Sequence, residues 1–284
     1  MNLQELELKL SQLEQEYNQA TVEAECLKIT ANGTFGKTGS PFSVIYAPEM
    51  TIQITVGGQL YLLMLIEAME QEGIRVISAN TDGIVMYLRK DQIEIYEQII
   101  EWWQNTTGFI TEESRYKAIY SRDVNAYLAV GEDGKVKGKN ILYDPWRGSS
   151  PKDAYWRFQK NPNMQICVEA VELYITNGVP IEKTIRDCKD FTKFVVVKNV
   201  KGGAHKDREY LGKVVRWYYA TNVIGTINYI LSGNKVPDTD NAKPAMDLPD
   251  AFPSDINYQV YIDKAIELCY DIGLIKRSTQ MELI

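Results

Sequence analysis

The sequence predicts an α+β fold, with helices and antiparallel hairpins in separate stretches of its 284 residues. Three observations carry this. Apolar stripes at three-four spacing mark helices near both ends of the chain. Residues 74–87 place two β-branched runs around a polar break, the pattern of a β-hairpin. Residues 116–140 alternate on either side of Glu132-Asp133-Gly134 and read as further strands.

Composition narrows the function classes. Hydrophobic residues make up 45% and charged residues 24%, as in ordinary globular proteins. Cys26, Cys167, Cys188 and Cys269 form no CxxC pair, and His205 is the single histidine. A zinc site or disulfide framework is therefore not expected, and a reducing, cytoplasmic setting fits. No secretory signal opens the sequence. The most apolar run, residues 60–66, is too short to span a membrane, so no membrane partner is expected. The net charge of −7 argues against nucleic acid as a partner only on average. Residues 1–25 are acidic, with Lys9 alone against six glutamates, and suit a partner or solvent better than DNA. Residues 183–216 are rich in lysine and arginine, which is either a phosphate-tracking surface or an ordinary solvated one.

The elements follow in order. Leu3, Leu6, Leu10, Leu13, Tyr17, Ala20, Ala24 and Leu27 form a helical stripe. It fits one long helix, or a helical hairpin turning near Asn18 with Thr21 as a second cap. Lys28 and Asn32, four apart, share one helix face and can hold adjacent phosphate oxygens. Pro48 opens a helix to about Gln71, with Gly73 as its cap. Gly57 and Gly58 inside it suggest close approach of another group, or a kink. A helix over about 91–104 follows the hairpin, with Ile93, Tyr96, Ile100 and Trp103 on one face. In residues 135–139 Lys135, Lys137 and Lys139 share a strand face, either solvated or a rail for phosphates. Residues 144–151 are the candidate linker. Helices are expected at about 162–177 and 180–188, extended segments at 191–197 and 214–219, and a flexible basic loop at Lys201-Gly202-Gly203. A final helix buries Ile262, Ala265, Ile266, Cys269 and Ile272, with Gly273 as cap.

At the tip of the first hairpin stands Asn80-Thr81-Asp82-Gly83. Gly83 is expected to supply a positive φ, and Asp82 is a carboxylate held at the turn. Alone, such an aspartate does no more than make the turn.

Taken together these pieces resemble a family B DNA polymerase of the phage type. The family's fingers motif is approximated by Lys28…Asn32-Gly33-Thr34-Phe35-Gly36, and its palm motif by Asn80-Thr81-Asp82-Gly83. Thr55-Val56-Gly57-Gly58-Gln59 is similar to the family's palm-helix segment. Arg122-Asp123-Val124-Asn125-Ala126-Tyr127 and Lys137-Gly138-Lys139 are similar to its later basic motifs. The resemblance runs in order from Lys28 to Lys139.

The resemblance implies residues 1–37 as a helical fingers segment, 38–143 as a palm with an antiparallel sheet covered by helices, and 144–284 as a mostly helical thumb. It implies DNA synthesis by two-metal nucleotidyl transfer with Mg²⁺. Asp82 becomes a metal ligand and the catalytic carboxylate, and Lys28, Asn32 and Phe35 bind the incoming dNTP. Asn125, Tyr127, Lys137 and Lys139 hold primer-template DNA, while Asn80, Thr81, Gly83 and Gly36 support their motifs. Asn80 stands where the family has aspartate, which removes one negative charge. The family's other palm aspartate, before the fingers, has no counterpart upstream of Lys28. The expectation is therefore the C-terminal part of a polymerase, completed by a second polypeptide that carries the exonuclease and the N-terminal palm. The alternative is a catalytically inert fragment that only binds primer-template DNA.

Overall fold

The computed structural model describes residues 3–144, 154–159 and 163–276. The expected linker falls largely outside the described residues, as do Asn161 and Pro162. The chain divides into two compact units, residues 1–112 and 113–284.

The first unit opens with α1 (Leu3–Thr38), one unbroken helix, which settles the choice between a helix and a helical hairpin. Thr21 does not cap a second helix; its hydroxyl donates to the Tyr17 carbonyl one turn back. The base of α1 rests on α2 (Pro48–Gln71), where the Thr38 and Thr51 hydroxyls meet at 2.8 Å and Ala47 N–H donates to the Thr38 carbonyl. Pro48 opens α2 as expected. At the other end Gly73 takes φ +71°, and Ile74 N–H closes back onto the Met69 carbonyl. A Cβ on Gly57 or Gly58 would meet nothing within 4 Å, so no group of this chain crowds them. By length and composition α2 is also apolar enough to cross a membrane, which the shorter run 60–66 had not suggested.

The hairpin, β1 (Arg75–Asn80) and β2 (Gly83–Tyr87), and α3 (Ile93–Thr107) pack on the C-terminal half of α2. Their shared core is small: Leu65, Met69, Ile74, Tyr96, Ile99 and Trp103. Trp103 Nε1 donates to the Tyr61 carbonyl at 2.8 Å, and buried Gln92 donates to the Gly73 carbonyl at 2.9 Å. Trp103 and Tyr96 face inward as expected, with Ile99 joining them, while Ile100 packs at the margin.

The second unit holds the main core. A three-stranded antiparallel sheet joins β3 (Tyr116–Asp123), β4 (Ala126–Gly131) and β5 (Val136–Gly138). The helices are α4 (Ala154–Gln159), α5 (Gln165–Asn177), α6 (Ile181–Asp187) and α7 (Tyr258–Asp271). A four-stranded antiparallel sheet, order β8-β6-β7-β9, is built from β6 (Val196–Lys206), β7 (Glu209–Tyr219), β8 (Asn228–Tyr229) and β9 (Ala242–Pro244). The region expected to be mostly helical thus carries a substantial sheet as well. Trp217, Tyr261, Phe158 and Phe194 are fully buried at its centre, and α7 buries Ile262, Ala265 and Cys269 as its spacing predicts.

Two expectations are corrected here. Lys201-Gly202-Gly203 is no flexible loop but a bulged stretch of β6, between the pairs Asn199↔Val214 and Ala204↔Gly212. Gly202 and Gly203 take φ +85° and +89°, and a Cβ on them would lie 2.6 Å from Leu231 and 2.8 Å from Tyr210. Residues 191–194 form a 3-10 turn, with the strand beginning only at Val196.

Candidate active site

The hairpin tip is a two-residue loop, Thr81-Asp82, between the paired Asn80 and Gly83. The positive φ sits on Thr81 (+43°), and Gly83 is absent from the left-handed region, which corrects the expected turn chemistry. A β-branched residue is strained there. Two bonds hold it: Asp82 N–H donates to the Asn80 carbonyl, and Thr81 Oγ1 donates to Asn80 Oδ1 at 3.0 Å. Alternation along β1 half-buries Asn80 beside Val76 and Ser78, while Asp82 projects exposed from the tip. A bulge at Ile77 resets the register so that this occurs. The turn thus presents one carboxylate to solvent, with a polar amide braced behind it.

Lys28, Asn32 and Phe35 follow one another at i, i+4 and i+7 along a single stripe of α1. All three are exposed, Phe35 at 39%. Among the described residues no hydrogen bond or ion pair joins Lys28 or Asn32 to Asp82. Both groups lie in the first unit.

The remaining candidates belong to the second unit. Asn125 sits in the β3–β4 turn, its N–H donating to Asp123 Oδ1 at 2.8 Å. Tyr127 on β4 is half-buried, with Lys139 Nζ 5.9 Å above its ring and Lys139 N–H bonded to its carbonyl at 3.0 Å. Lys137 is exposed on β5. Between the two lysines, Gly138 has a structural reason that its motif did not reveal. A Cβ there would stand 1.8 Å from the Leu142 carbonyl oxygen, because the 3-10 turn Asn140–Leu142 folds tightly back on it. Gly138→Ala is expected to destabilise the second unit by about 3 kcal/mol or more, since backbone must move. A thermal melt unchanged within a degree would refute this.

The basic stretch 183–216 is only partly a surface. Lys193 pairs with Glu169 at 2.6 Å, and Arg186 with Glu182 at 2.8 Å. Lys206 is buried and donates to the Ala242 carbonyl. Arg216 is buried as well, giving hydrogen bonds to the Phe158 and Gln159 carbonyls at 3.0 Å. Burial draws the pKa of both down from its ordinary value. Lys206 and Arg216 are held inside the fold and Lys193 is half-buried, whereas the Arg186–Glu182 pair is a surface one; Lys201, Arg208 and Lys213 are exposed.

Hard divalent ions take several oxygen ligands. Among the described residues no three His, Cys, Asp or Glu side chains come together as a metal site. The donor set around Asp82 is therefore too small to hold Mg²⁺ ions by itself.

No family model matches the chain. In sequence it is 28% identical over 118 residues to DNA polymerase 1 of Saccharolobus solfataricus, covering 41% of this chain and 13% of that protein. Against DNA polymerase 2 of Aeropyrum pernix it is 23% identical over 189 residues, 65% of this chain and 23% of that one. The chain thus spans between 13% and 23% of the length of these curated relatives. Its fold is similar to the solved family B DNA polymerase of the hyperthermophilic archaeon Pyrobaculum calidifontis. The TM-score is 0.51 at 16% identity, over 95% of this chain and 35% of that one. By sequence, then, the chain is a relative of DNA polymerases, and by fold it is similar to a family B DNA polymerase.

Proposed function

We propose that this chain works in template-directed DNA synthesis as the C-terminal portion of a family B DNA polymerase. Residues 1–37 act as fingers, 38–143 as palm and 144–284 as thumb. The observation that carries this reading is the order of the candidate groups in a chain related to DNA polymerases: Lys28 and Asn32 on a helix face, then Asp82 exposed at a hairpin tip. Lys28 and Asn32 bind the triphosphate of the incoming nucleotide, and Phe35 lies against the nascent base pair. Asn125, Tyr127, Lys137 and Lys139 grip the primer end. The primer 3′-oxygen then bonds to the α-phosphorus and pyrophosphate leaves. Asp82 contributes one carboxylate, and a second polypeptide supplies the other. Magnesium, which in such sites stabilises charge on phosphate oxygens, belongs on this reading to the assembly and not to this chain alone.

The small donor set around Asp82 favours a second reading, an inert fragment that clamps primer-template DNA. Nucleotide binding separates the two. With dNTP and Mg²⁺ at about 100 times Kd, thermal stability is expected to rise by about 2.7 kcal/mol, and Lys28→Ala is expected to remove the shift. No shift in the unaltered chain with its partner present would favour the inert clamp.

A further inference from the structure

In the bulged stretch of β6, glycines act as seats for large apolar side chains that stay open to solvent. Leu231 rests on Gly202 and Tyr210 on Gly203, yet they are 81% and 61% exposed. Ile230 joins them: its N–H donates to the Gly203 carbonyl at 3.1 Å, and it is 44% exposed. Backbone supports these groups from beneath, so little further ordering is needed when something covers them. The charge beside them is positive. Lys201 directly precedes the glycine pair. Lys213 is the β7 residue that stands alone between Gly212 and Val214, where β6 runs from Val200 to Gly203. Both lysines are exposed, and among the described residues neither makes an ion pair. At the tip of the β6–β7 hairpin Asp207 and Glu209 outnumber Arg208, so the positive charge is confined to the bulge.

We propose that this patch is a docking site for an acidic peptide segment with aliphatic side chains, supplied by a protein outside these 284 residues. Leu231, Ile230 and Tyr210 receive the aliphatic groups, and Lys201 and Lys213 meet the carboxylates. Nucleic acid, the other polyanion, suits the patch less. Single strands are held by aromatic faces along a continuous cationic groove. Here the ring of Tyr210 already lies against Gly203, the other two apolar groups are aliphatic, and the hairpin tip turns acidic. The patch shares no residue with the proposed nucleotide and primer sites, so the inference goes beyond the polymerase reading.

The test uses the full chain and labelled peptides of about ten residues. One carries aspartates around two leucines, one has the leucines replaced by serine, and one has the aspartates replaced by lysine. By fluorescence anisotropy the first is expected to bind at least about tenfold more tightly than either other, and less tightly as salt is raised. Leu231→Ser in the chain should remove the advantage over the serine peptide. Lys201→Glu with Lys213→Glu should turn the preference toward the lysine peptide. All three positions are exposed, and far-UV circular dichroism checks that the variants stay folded. Equal binding of the three peptides, a Leu231→Ser chain that binds like the parent, or a dimer in sedimentation that Leu231→Ser dissolves overturns the proposal. Unlabelled oligo-deoxythymidine that displaces the bound peptide assigns the patch to nucleic acid and overturns it too, whereas a peptide that stays bound supports it. No nucleotide incorporation is measured, so the outcome is separate from that of the polymerase reading.

Discussion

Asp82→Ala is expected to lower single-nucleotide incorporation by the complete assembly on the order of 10²–10³-fold, the scale of losing one preorganised electrostatic group. The fold should be indifferent to the change. Asp82 is exposed, and its recorded bond to the rest of the turn is made by its backbone N–H, which alanine keeps. Asp82→Asn preserves the side-chain shape and removes the charge, so it should fall with the alanine variant. If Asp82→Asn retains full incorporation, the carboxylate is a turn residue and no more. If the unaltered chain extends a primed template without any partner, the shared site is wrong while the role of Asp82 stands.

Tyr261 carries the largest expected effect on stability. It is fully buried where α7 meets the four-stranded sheet, its ring edge-on to Phe194 and Tyr219. Its hydroxyl donates to the Phe194 carbonyl at 2.8 Å and accepts from Tyr219 N–H at 2.9 Å. Burial pushes the phenol well above its usual pKa, which keeps it a neutral donor. Tyr261→Ala leaves a cavity and two unpaired backbone groups, and should cost about 3–5 kcal/mol. Tyr261→Phe keeps the ring and loses only the bridge, at about 1–3 kcal/mol. Urea unfolding followed by the fluorescence of buried Trp217 measures both. A phenylalanine variant within 0.5 kcal/mol of the parent, roughly the noise of a surface substitution, would show that the bridge contributes little.

Much of this architecture was legible because local chemistry and tertiary packing agree. Pro48 and Gly73 bound α2, Gly178 and Gly273 take the positive φ their cap positions require, and the α7 stripe faces the core. The misreadings share a cause, which is that a neighbour distant in sequence decided the conformation. Gly202 and Gly203 look like a loop until β7 and Leu231 are set beside them. Arg216 and Lys206 look like surface cations until carbonyls of α4 and β9 claim them. At the hairpin the expected glycine conformation fell two residues earlier, on Thr81, because the loop closes with two residues between Asn80 and Gly83. For the candidate site, the elements that carry Lys28, Asn32 and Asp82 could be read from spacing. No relation in space between them could be read, and among the described residues no hydrogen bond or ion pair joins Lys28 or Asn32 to Asp82.

The thin core of the first unit has a consequence for abundance. Among the described residues six buried apolar side chains form the core of residues 1–112, and α1 adds none of these, only the buried Thr38 at its base. The folded fraction of that unit then follows mass action: a partner at about 1,000 times its Kd adds about 4.1 kcal/mol. Cells making the two components unequally would lose the surplus of this chain to proteolysis, beginning in α1, so its level would follow that of its partner.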